Sequence, residues 1–368
     1  MSRHLPRVTL YAITMRLCYF GAYNPTYPRN AVNREGLRRA GAEVVECRVG
    51  IELGTPARMA GLWRQYWRDV RRCDVIVVAE FSHTLVLFAW LIARMSGARL
   101  VFDPAVSLYE INVVARRTVS ATSPRARYYW AVEWLALHLA DLLVWYTEED
   151  RAYFGAQYHL SESKSVAILP GVNTDLFRPL PGGTHEGFRV HFNGAFLPTH
   201  GVEIILGAAD RLRDQVAIHF ELIGDGQTRA EAVATAERLG LTNVTFPGRA
   251  PIGEIPARIA QADVCLGAFG DDPKLQRLFV LKAGQAMACR KPVITADAPA
   301  TRRVCQHGTD IWLVPPGDPS ALAEAILTLY RDPELRARLA EAGYHTIHSY
   351  FTPERIGENW LKALSQWP

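Results

Sequence analysis

Hydrophobic residues along the first half of the chain occur in short strand-like runs, and helix-like patterns separate these runs. The strand-like runs read RLCYFGAY, AEVVECRV, DVIVVAE and RLVFDPAV. This alternation predicts parallel strands joined by helices, and the continuous apolar run from Val75 to Ala79 is typical of a strand covered on both faces. We therefore predict a doubly wound α/β domain over residues 1–180, in which residues 126–154 form one helical run.

The pattern is interrupted at residues 178–187, RPLPGGTHEG, where turn-forming residues replace apolar ones. It restarts in FRVHFNGAF and continues to DIWLVPPGD, which predicts a second doubly wound domain over residues 188–345. Helical spacing of apolar residues in the last segment, 346–368, predicts a C-terminal helix. Ligands of open sheets bind beyond the carboxyl ends of the strands, so two such domains predict a cleft between their loops.

The composition fits two ordinary globular domains and indicates no nucleic-acid partner. The chain has 368 residues, of which 49% are hydrophobic and 21% charged, and this length exceeds what one core usually organises. The net charge of +4 is mild, whereas nucleic-acid binders normally concentrate basic residues on one face. The six cysteines lack the paired spacing of zinc ligands. We expect buried thiols in a reducing cytoplasm and no metal site.

No signal peptide or membrane-spanning helix is expected. The opening residues lack a long apolar run and a small-residue cleavage site. The longest apolar stretch, TLVLFAWLIARMSG, is interrupted by Arg94 and is shorter than the roughly 20 residues that cross a bilayer. We interpret it as a buried helix and predict a cytoplasmic protein.

Three loops of the second domain carry glycines between a strand and a helix: FNGAFLPTHG, IGDGQ and FPGRAP. Glycine lets backbone N–H groups approach a ligand, and helix starts favour anions, so Gly194, Gly224, Gly226 and the neighbouring Arg249 are candidates for a phosphate site. The alternative is that these glycines serve backbone geometry alone. A GxGxxG fingerprint is missing after the first strand, which disfavours a nicotinamide dehydrogenase.

The amino-acid sequence of the second domain resembles glycosyltransferase family 4. The resemblance rests on GVNTDLFRP, FNGAFLPTHGVEIILGAADRL, ELIGDG, FPGRAPIGEIPARIAQADV, QAMACRKPVITADAP and WLVPPGDPSALAEAI. In the first domain, CYFGAYNPTYPRNAVNREGLRRAGAEVVEC and LVFDPAVSLYE are similar to a bacterial and archaeal subgroup of these enzymes.

This resemblance implies a GT-B fold, with two Rossmann-like domains facing a cleft and a C-terminal helix that crosses back to the first domain. It implies a retaining, metal-independent hexosyltransferase that binds a nucleoside-diphosphate sugar on its second domain and a hydroxyl acceptor on its first. The donor is a substrate, and no other cofactor is expected. A role in cell-surface polysaccharide or glycolipid synthesis follows, with a glycan or lipid-linked acceptor.

The chain departs from the family pattern at four positions. The family carries two glutamates separated by seven residues, which contact the donor sugar and the ribose, and here these positions are Arg277 and Gln285. The family also places an arginine and a lysine in the first loop of the donor domain, at the positions of Ala195 and His200. We expect Gln285 to keep a ribose hydrogen bond and His200 to remain in the donor site. This subgroup therefore has glutamine in place of the second glutamate.

A diphosphate leaving group needs cationic stabilisation as its bond to the sugar breaks. Three cations, Lys274, Arg277 and Lys282, precede or begin a helix-like run of small residues. We predict that Arg277 and Lys282 supply the stabilising charge. The alternative is that all three belong to a solvated loop and helix start.

In the first domain, Asp103 follows an apolar run, at the predicted carboxyl end of a strand, and is a candidate catalytic residue. Its alternative role is a helix cap or turn residue. Gly21 follows the first strand and is expected to face the diphosphate. Glu80 and His83 have the same ambiguity as Asp103.

Residues 62–72, LWRQYWRDVRR, interleave aromatic residues with arginines. An amphipathic basic helix of this kind can rest on an anionic membrane, as an enzyme with a lipid-linked acceptor requires. We predict peripheral contact with the inner face of the plasma membrane, and the alternative is ordinary helix packing. Two other functions are weighed because of the missing family residues: a catalytically inactive GT-B binding or regulatory protein, and a sugar-nucleotide epimerase.

Overall fold

The computed structural model describes residues 15–115, 118–183 and 185–367. The opening residues 1–14, where no signal peptide is expected, and Thr184 of the interrupted segment lie outside the described residues. The strands form two sheets of six strands each, and all their pairings are parallel. The predicted doubly wound α/β fold is confirmed.

The first sheet has the strand order β2-β1-β3-β4-β5-β6. Its strands are β1 (Arg16–Ala22), β2 (Glu43–Val49), β3 (Val75–Val78), β4 (Arg99–Phe102), β5 (Leu142–Trp145) and β6 (Ser165–Ala167). Its helices are α1 (Pro28–Arg39), α2 (Thr55–Gln65), α3 (Val86–Ser96), α4 (Pro124–Leu139) and α5 (Glu148–Tyr158), and a π-helical turn, Tyr66–Val70, continues α2. All four residues of β3 and of β5 are buried, as expected for strands covered on both faces.

The residues 126–154 do not form one helix, so this prediction was wrong. Helix α4 ends at Leu139, and the next four apolar residues form β5 between β4 and β6. The carboxylate of Asp141 separates the two elements and accepts a 2.8 Å hydrogen bond from the backbone N–H of Leu100. A short fully buried strand and a buried helix have the same apolar pattern, so periodicity alone did not distinguish them.

The second sheet has the order β12-β11-β10-β7-β8-β9. Its strands are β7 (Phe188–Asn193), β8 (Ile218–Ile223), β9 (Val244–Gly248), β10 (Val264–Leu266), β11 (Val293–Ala296) and β12 (Trp312–Val314). Its helices are α6 (Val202–Arg211), α7 (Arg229–Arg238), α8 (Ile255–Ala260), α9 (Leu281–Ala288), α10 (Pro299–Arg302) and α11 (Pro319–Arg331). The chain runs from β7 to β8 on one side and reaches β10 on the other, so β7 and β10 flank the switch point where open sheets bind ligands.

Two further helices, α12 (Pro333–Tyr350) and α13 (Pro353–Gln366), follow the second sheet. Helix α13 begins at a Thr352 cap with proline in its first turn. It lies against α1 so closely that a Cβ atom added to Gly357 would sit 1.9 Å from the carbonyl oxygen of Gly36. Its buried Ile356 and Trp360 belong to the core on one side of the first sheet.

Helix α3 is not buried on all sides, which corrects the interpretation of the apolar stretch around Arg94. One face of α3 packs on the sheet through Val86, Ala89 and Ile92, while Leu87, Leu91 and Met95 are exposed. None of the helices in the described ranges combines the length and the hydropathy needed to span a bilayer.

Candidate functional site

A cleft of about 500 Å³ lies at the carboxyl ends of β7, β8 and β9. Its walls come from residues 193–195, 223–226 and 249–255. This is the edge of an open parallel sheet at which ligands bind. The three glycine-bearing loops identified in the sequence therefore meet in one place.

Gly224 and Gly226 allow two of these loops to pack directly on each other. A Cβ atom on Gly224 would lie 1.8 Å from the carbonyl oxygen of Gly194, and one on Gly226 would lie 2.7 Å from the backbone of Phe196. The backbone N–H of Phe196 donates a 3.0 Å hydrogen bond to Asp225. The glycines thus have a packing role, and they also line the cleft where a ligand could approach the backbone.

Lys282 lies in the first turn of α9, which follows β10, and reaches across the switch point to Gly194. A Cβ atom on Gly194 would lie 2.6 Å from Cε and 3.0 Å from Nζ of this lysine, so the end of the lysine side chain packs directly on the glycine. Nζ lies 4.8 Å from the centre of the Phe192 ring.

The ammonium group of Lys282 is buried, and Nζ has no hydrogen-bond partner among the described residues. Burial lowers the pKa of Lys282 to about 7. Buried polar groups are normally hydrogen-bonded, and a lone buried cation is costly. Lys282 is therefore a buried, unmatched cation directly behind Gly194, which lines the cleft, and it is suited to meet an anion that binds there.

His200 contributes no positive charge beside Lys282. Its Nδ1 bonds the carbonyl oxygen of Ala195, which can only accept, so Nδ1 carries the proton. Burial and the neighbouring Lys282 lower the pKa of His200 to about 3, so the ring is neutral. His200 stays near the predicted donor loop but adds no charge there, and the buried Lys282 lies beside it at Gly194.

Arg249 and Gln285 complete the predicted donor residues. Arg249 is exposed and lines the cleft in the loop after β9. Gln285 is buried one turn after Lys282 on α9, so both side chains lie on the same side of that helix. The structure brings Lys282 to Gly194, and it brings Gly194, Gly224, Gly226 and Arg249 around one cleft.

Arg277 is not available as a free cation, which corrects its predicted role at the diphosphate. Its Nη2 bonds Glu110, and its Nε donates a 3.1 Å hydrogen bond to Asp150. Lys274 also approaches Glu110, with 3.4 Å between Nζ and Oε2. Both acids belong to the first domain, so we call these four residues the interdomain clasp.

Two further contacts hold the clasp in place. The guanidinium of Arg277 lies over the Tyr153 ring at 3.8 Å from its centre, and its carbonyl oxygen accepts a 2.5 Å hydrogen bond from Thr147. Burial raises the pKa of Asp150 to about 6, although Arg277 opposes this shift. Sequence reasoning missed Glu110 and Asp150. The available signal was charge complementarity: acids that follow first-domain strands match cations that follow a second-domain strand.

Asp103 is also corrected, because it cannot contact a substrate in this geometry. It is fully buried after β4, and Nε of Arg29 donates to both of its oxygens at 2.9 and 2.8 Å. Asn33 donates a further 2.9 Å hydrogen bond to Oδ2. The carboxylate is sealed in an ion pair that joins α1 to the sheet.

The other first-domain candidates also lie in packed surroundings. Gly21 is buried near the end of β1, and a Cβ atom there would lie 2.6 Å from Oγ of Ser82, so the glycine permits close contact with the segment after β3. His83 packs edge-on against Phe102. Glu80 accepts a 3.2 Å hydrogen bond from Tyr146, and burial raises the pKa of Glu80 to about 8. None of these lines the cleft of the second domain.

Two facing Rossmann-like sheets with a ligand cleft on the second define the GT-B class of fold. Residues 187–332 match the family model described as glycosyl transferases group 1. The chain is similar in fold to Anabaena HepE, solved in complex with UDP and glucose, at a TM-score of 0.72 and 19% identity over 96% of this chain and 100% of that one. Sucrose-phosphate synthase from Thermosynechococcus elongatus gives a TM-score of 0.74 at 18% identity, over 96% and 98%.

The curated relatives that the chain matches include glycosyltransferases of bacteria and of an archaeon. A phosphatidyl-myo-inositol mannosyltransferase of Mycobacterium leprae is 30% identical over 51% of this chain and 50% of its own length. A D-inositol 3-phosphate glycosyltransferase of Thermobispora bispora is 26% identical over 62% and 57%. The chain thus spans about half the length of the curated relatives it matches.

Proposed function

We propose that the protein is a retaining, metal-independent glycosyltransferase that moves a sugar from a nucleoside-diphosphate sugar to a hydroxyl acceptor. The observation that carries this proposal is the buried ammonium of Lys282, which has no hydrogen-bond partner among the described residues and lies against Gly194, a residue that lines the cleft of the second domain. The match of residues 187–332 to group 1 glycosyl transferases and the UDP bound to a protein of the same fold support it.

The reaction breaks the bond between the anomeric carbon and the diphosphate oxygen, and forms a bond from that carbon to the acceptor oxygen. The electron pair of the broken bond leaves with the diphosphate oxygen, and the proton of the acceptor hydroxyl passes to the departing diphosphate. Lys282, protonated, stabilises the departing negative charge. Gln285, which both donates and accepts, hydrogen-bonds the ribose.

We assign the acceptor to the first domain and propose a glycan or a lipid-linked saccharide. The relatives support this class, since they include a lipopolysaccharide core biosynthesis glycosyltransferase of Rhizobium meliloti and an O-antigen chain mannosyltransferase of Escherichia coli. We propose that the protein acts on such an acceptor in the cytoplasm, at the inner face of the membrane, in polysaccharide or glycolipid synthesis.

Thermal unfolding in the presence of nucleotides tests the donor site. A ligand that binds only the native state raises the unfolding midpoint, so we expect UDP, GDP or ADP, and the matching nucleotide sugar, to raise it selectively. Lys282→Met should reduce that rise at a fixed nucleotide concentration. Transfer to a soluble glycoside acceptor, followed by NMR of the new anomeric proton, tests retention. An inverted product contradicts that part of the proposal.

Two other outcomes would replace the proposal. A protein that binds no nucleotide and releases no sugar is the inactive GT-B partner that the changes at Ala195 and Arg277 also permit. Interconversion of the nucleotide sugar without any acceptor identifies an epimerase. Both are read from the same reactions by NMR.

A further inference from the structure

Three helical elements of the first domain lie side by side on one side of its sheet. Helix α2 with its π-helical turn, helix α3 and helix α4 all contribute to the same hydrophobic core, through Leu62, Val86 and Leu137 among others. Helices α1 and α13 cover the opposite side. We call the outer surface of α2, the π-helical turn, α3 and α4 the docking face.

The docking face exposes apolar side chains in a regular row. Leu87, Leu91 and Met95 are 45%, 46% and 62% exposed, and their spacing of four residues places them along one side of α3. On α4, Trp134 and Leu135 are also exposed. Single exposed apolar residues are ordinary, whereas a contiguous row marks an interaction surface.

An open groove of about 710 Å³ lies beside this row, between α2 and α3. Its apolar wall includes Trp63 and Phe88, whose ring centres are 6.4 Å apart, and its other side carries Arg64 and Arg68. No carboxylate is among the residues that line it. The groove is therefore apolar at its base and cationic at its rim.

Further arginines surround the groove. Arg71 and Arg72, at the end of the π-helical turn, are exposed, and the guanidinium of Arg94 lies 5.6 Å from the centre of the Trp90 ring on α3. Two acids lie among these arginines: Asp69 is paired with Arg68 at 2.7 Å, and Asp141 approaches Arg94 at 3.5 Å. The docking face thus has aromatic rings and leucines at its centre and arginines around them. This arrangement matches a partner with an apolar interior and an anionic surface.

We infer that the docking face rests on an anionic lipid bilayer. Its leucine and tryptophan side chains enter the boundary between headgroups and acyl chains, and its arginines lie at the level of the lipid phosphates. A second copy of this chain would bring arginines against arginines, so charge complementarity favours lipid. The contact is wider than residues 62–72, because α3 and α4 contribute most of the apolar row.

The biological role of this membrane contact rests on the proposed function, because the contact would hold the enzyme beside a lipid-linked acceptor. Lipid binding itself requires neither donor nor turnover. A protein without transferase activity can therefore still pass the test below, and a transferase on soluble acceptors can fail it.

Co-sedimentation of the full chain with vesicles tests the inference. We expect binding to phosphatidylcholine vesicles that contain 30% phosphatidylglycerol and little binding to pure phosphatidylcholine. Arg64→Glu with Arg68→Glu should weaken binding about tenfold or more, because each cation near such a surface contributes strongly. Leu87→Gln with Leu91→Gln should also weaken it about tenfold by removing apolar contact.

Matched variants on the second domain control for charge and hydropathy. Arg331→Glu with Arg338→Glu reverses two exposed arginines, and Val216→Gln removes an apolar residue that is 84% exposed, and both should bind like the wild type. Circular dichroism verifies that each variant is folded. Equal partitioning of the wild type and both docking-face variants overturns the inference. So does a concentration-dependent dimer that Leu87→Gln with Leu91→Gln dissolves while vesicle binding is absent.

Discussion

Arg277 and Lys282 lie five residues apart on one segment, and the sequence assigns them the same role, yet the structure separates them. Arg277 bonds two carboxylates of the other domain and stacks on a tyrosine ring. Lys282 is buried to a similar degree, and its ammonium has no partner within the part of the chain that the structure describes. The difference lies in how their charges are compensated.

The comparison teaches that a buried cation is informative through its partners. A charge already matched by acids has a structural use, and here it joins the two domains. A charge left unmatched costs free energy in the folded state, and a protein retains such a cost where a ligand later offsets it. Binding and stability should therefore respond in opposite ways at these two positions.

The largest expected effect is on stability at Arg277. Arg277→Ala leaves Glu110 and Asp150 without their partner, and breaking a buried pair in this way costs about 3 kcal/mol. We expect a lower midpoint in urea unfolding. Arg303→Ala is the matched control, because Arg303 also pairs across the domains with Glu149 but is 57% exposed, and it should cost no more than about 1 kcal/mol.

An Arg277→Ala variant with wild-type stability and no nucleotide binding would reverse the comparison. Combining Arg277→Ala with Glu110→Gln distinguishes a structural role of the Arg277–Glu110 ion pair from a role of Arg277 in nucleotide binding. If the clasp is structural, the double variant is less destabilised than the sum of the single changes, because the second change removes the carboxylate that the first left unpaired.

The second effect is at Lys282, where stability and binding should move apart. Lys282→Met keeps the side-chain volume and removes a buried charge, so the protein without ligand should become more stable by on the order of 2 kcal/mol. Nucleotide-sugar affinity should fall by about 2 kcal/mol, since a charge-assisted contact is lost. Calorimetry and urea unfolding measure the two changes. Loss of stability with unchanged affinity contradicts the assignment.

The third effect is a pH dependence that Arg277 cannot produce. Lys282 has a pKa of about 7 in the folded protein against an ordinary value of 10.5. The unfolded chain therefore binds more protons between these values, and stability should rise with pH across this window. Donor affinity should change oppositely and fall by up to about tenfold from pH 6 to 8, as the ammonium loses its proton.

A nucleotide sugar is the right probe for this titration, because its diphosphate has no terminal ionisation near neutral pH. Isothermal calorimetry at several pH values gives the slope, and Lys282→Met should flatten it. The same slope in Lys282→Met would assign the titration to another group.

The smallest effect is at Gln285. Gln285→Ala should weaken nucleotide binding by roughly 1 kcal/mol, the value of one hydrogen bond, and leave the fold intact. Gln285→Glu restores the residue that the resembled family carries and should be tolerated. Unchanged affinity in Gln285→Ala would remove this residue from the site. Complete loss of activity in Gln285→Glu would mean that the site requires a neutral amide.

The architecture was predictable because periodicity is local. The alternation of strand-like and helical runs gave two parallel sheets, and the glycine loops were correctly placed at strand ends. The prediction failed at β5, because a run of four consecutive apolar residues shows neither the periodicity of a helix nor that of a half-buried strand. Length and the preceding Asp141 were the local clues.

The roles of charged residues were harder to predict because their partners are distant in sequence. Asp103 meets Arg29 across 74 positions, and Arg277 meets Glu110 across 167. A sequence pattern locates each charge near a strand end but does not identify the charge opposite it. The sequence identified only residues 62–72 of the docking face. It marked α3 as apolar but did not reveal which side of that helix the sheet covers.

The close packing of α13 on α1 determines when the first domain can complete its core during synthesis on the ribosome. The first sheet is synthesised early, yet Trp360 and Ile356, which cover one side of it, emerge only after the entire second domain. Until then, Leu37 and Val32 lack the side chains of α13 that cover them. We therefore expect the nascent first domain to expose an apolar surface of the kind that chaperones bind. A translation arrest just before Pro353 should therefore leave a chain whose second domain resists protease while its first domain is cut.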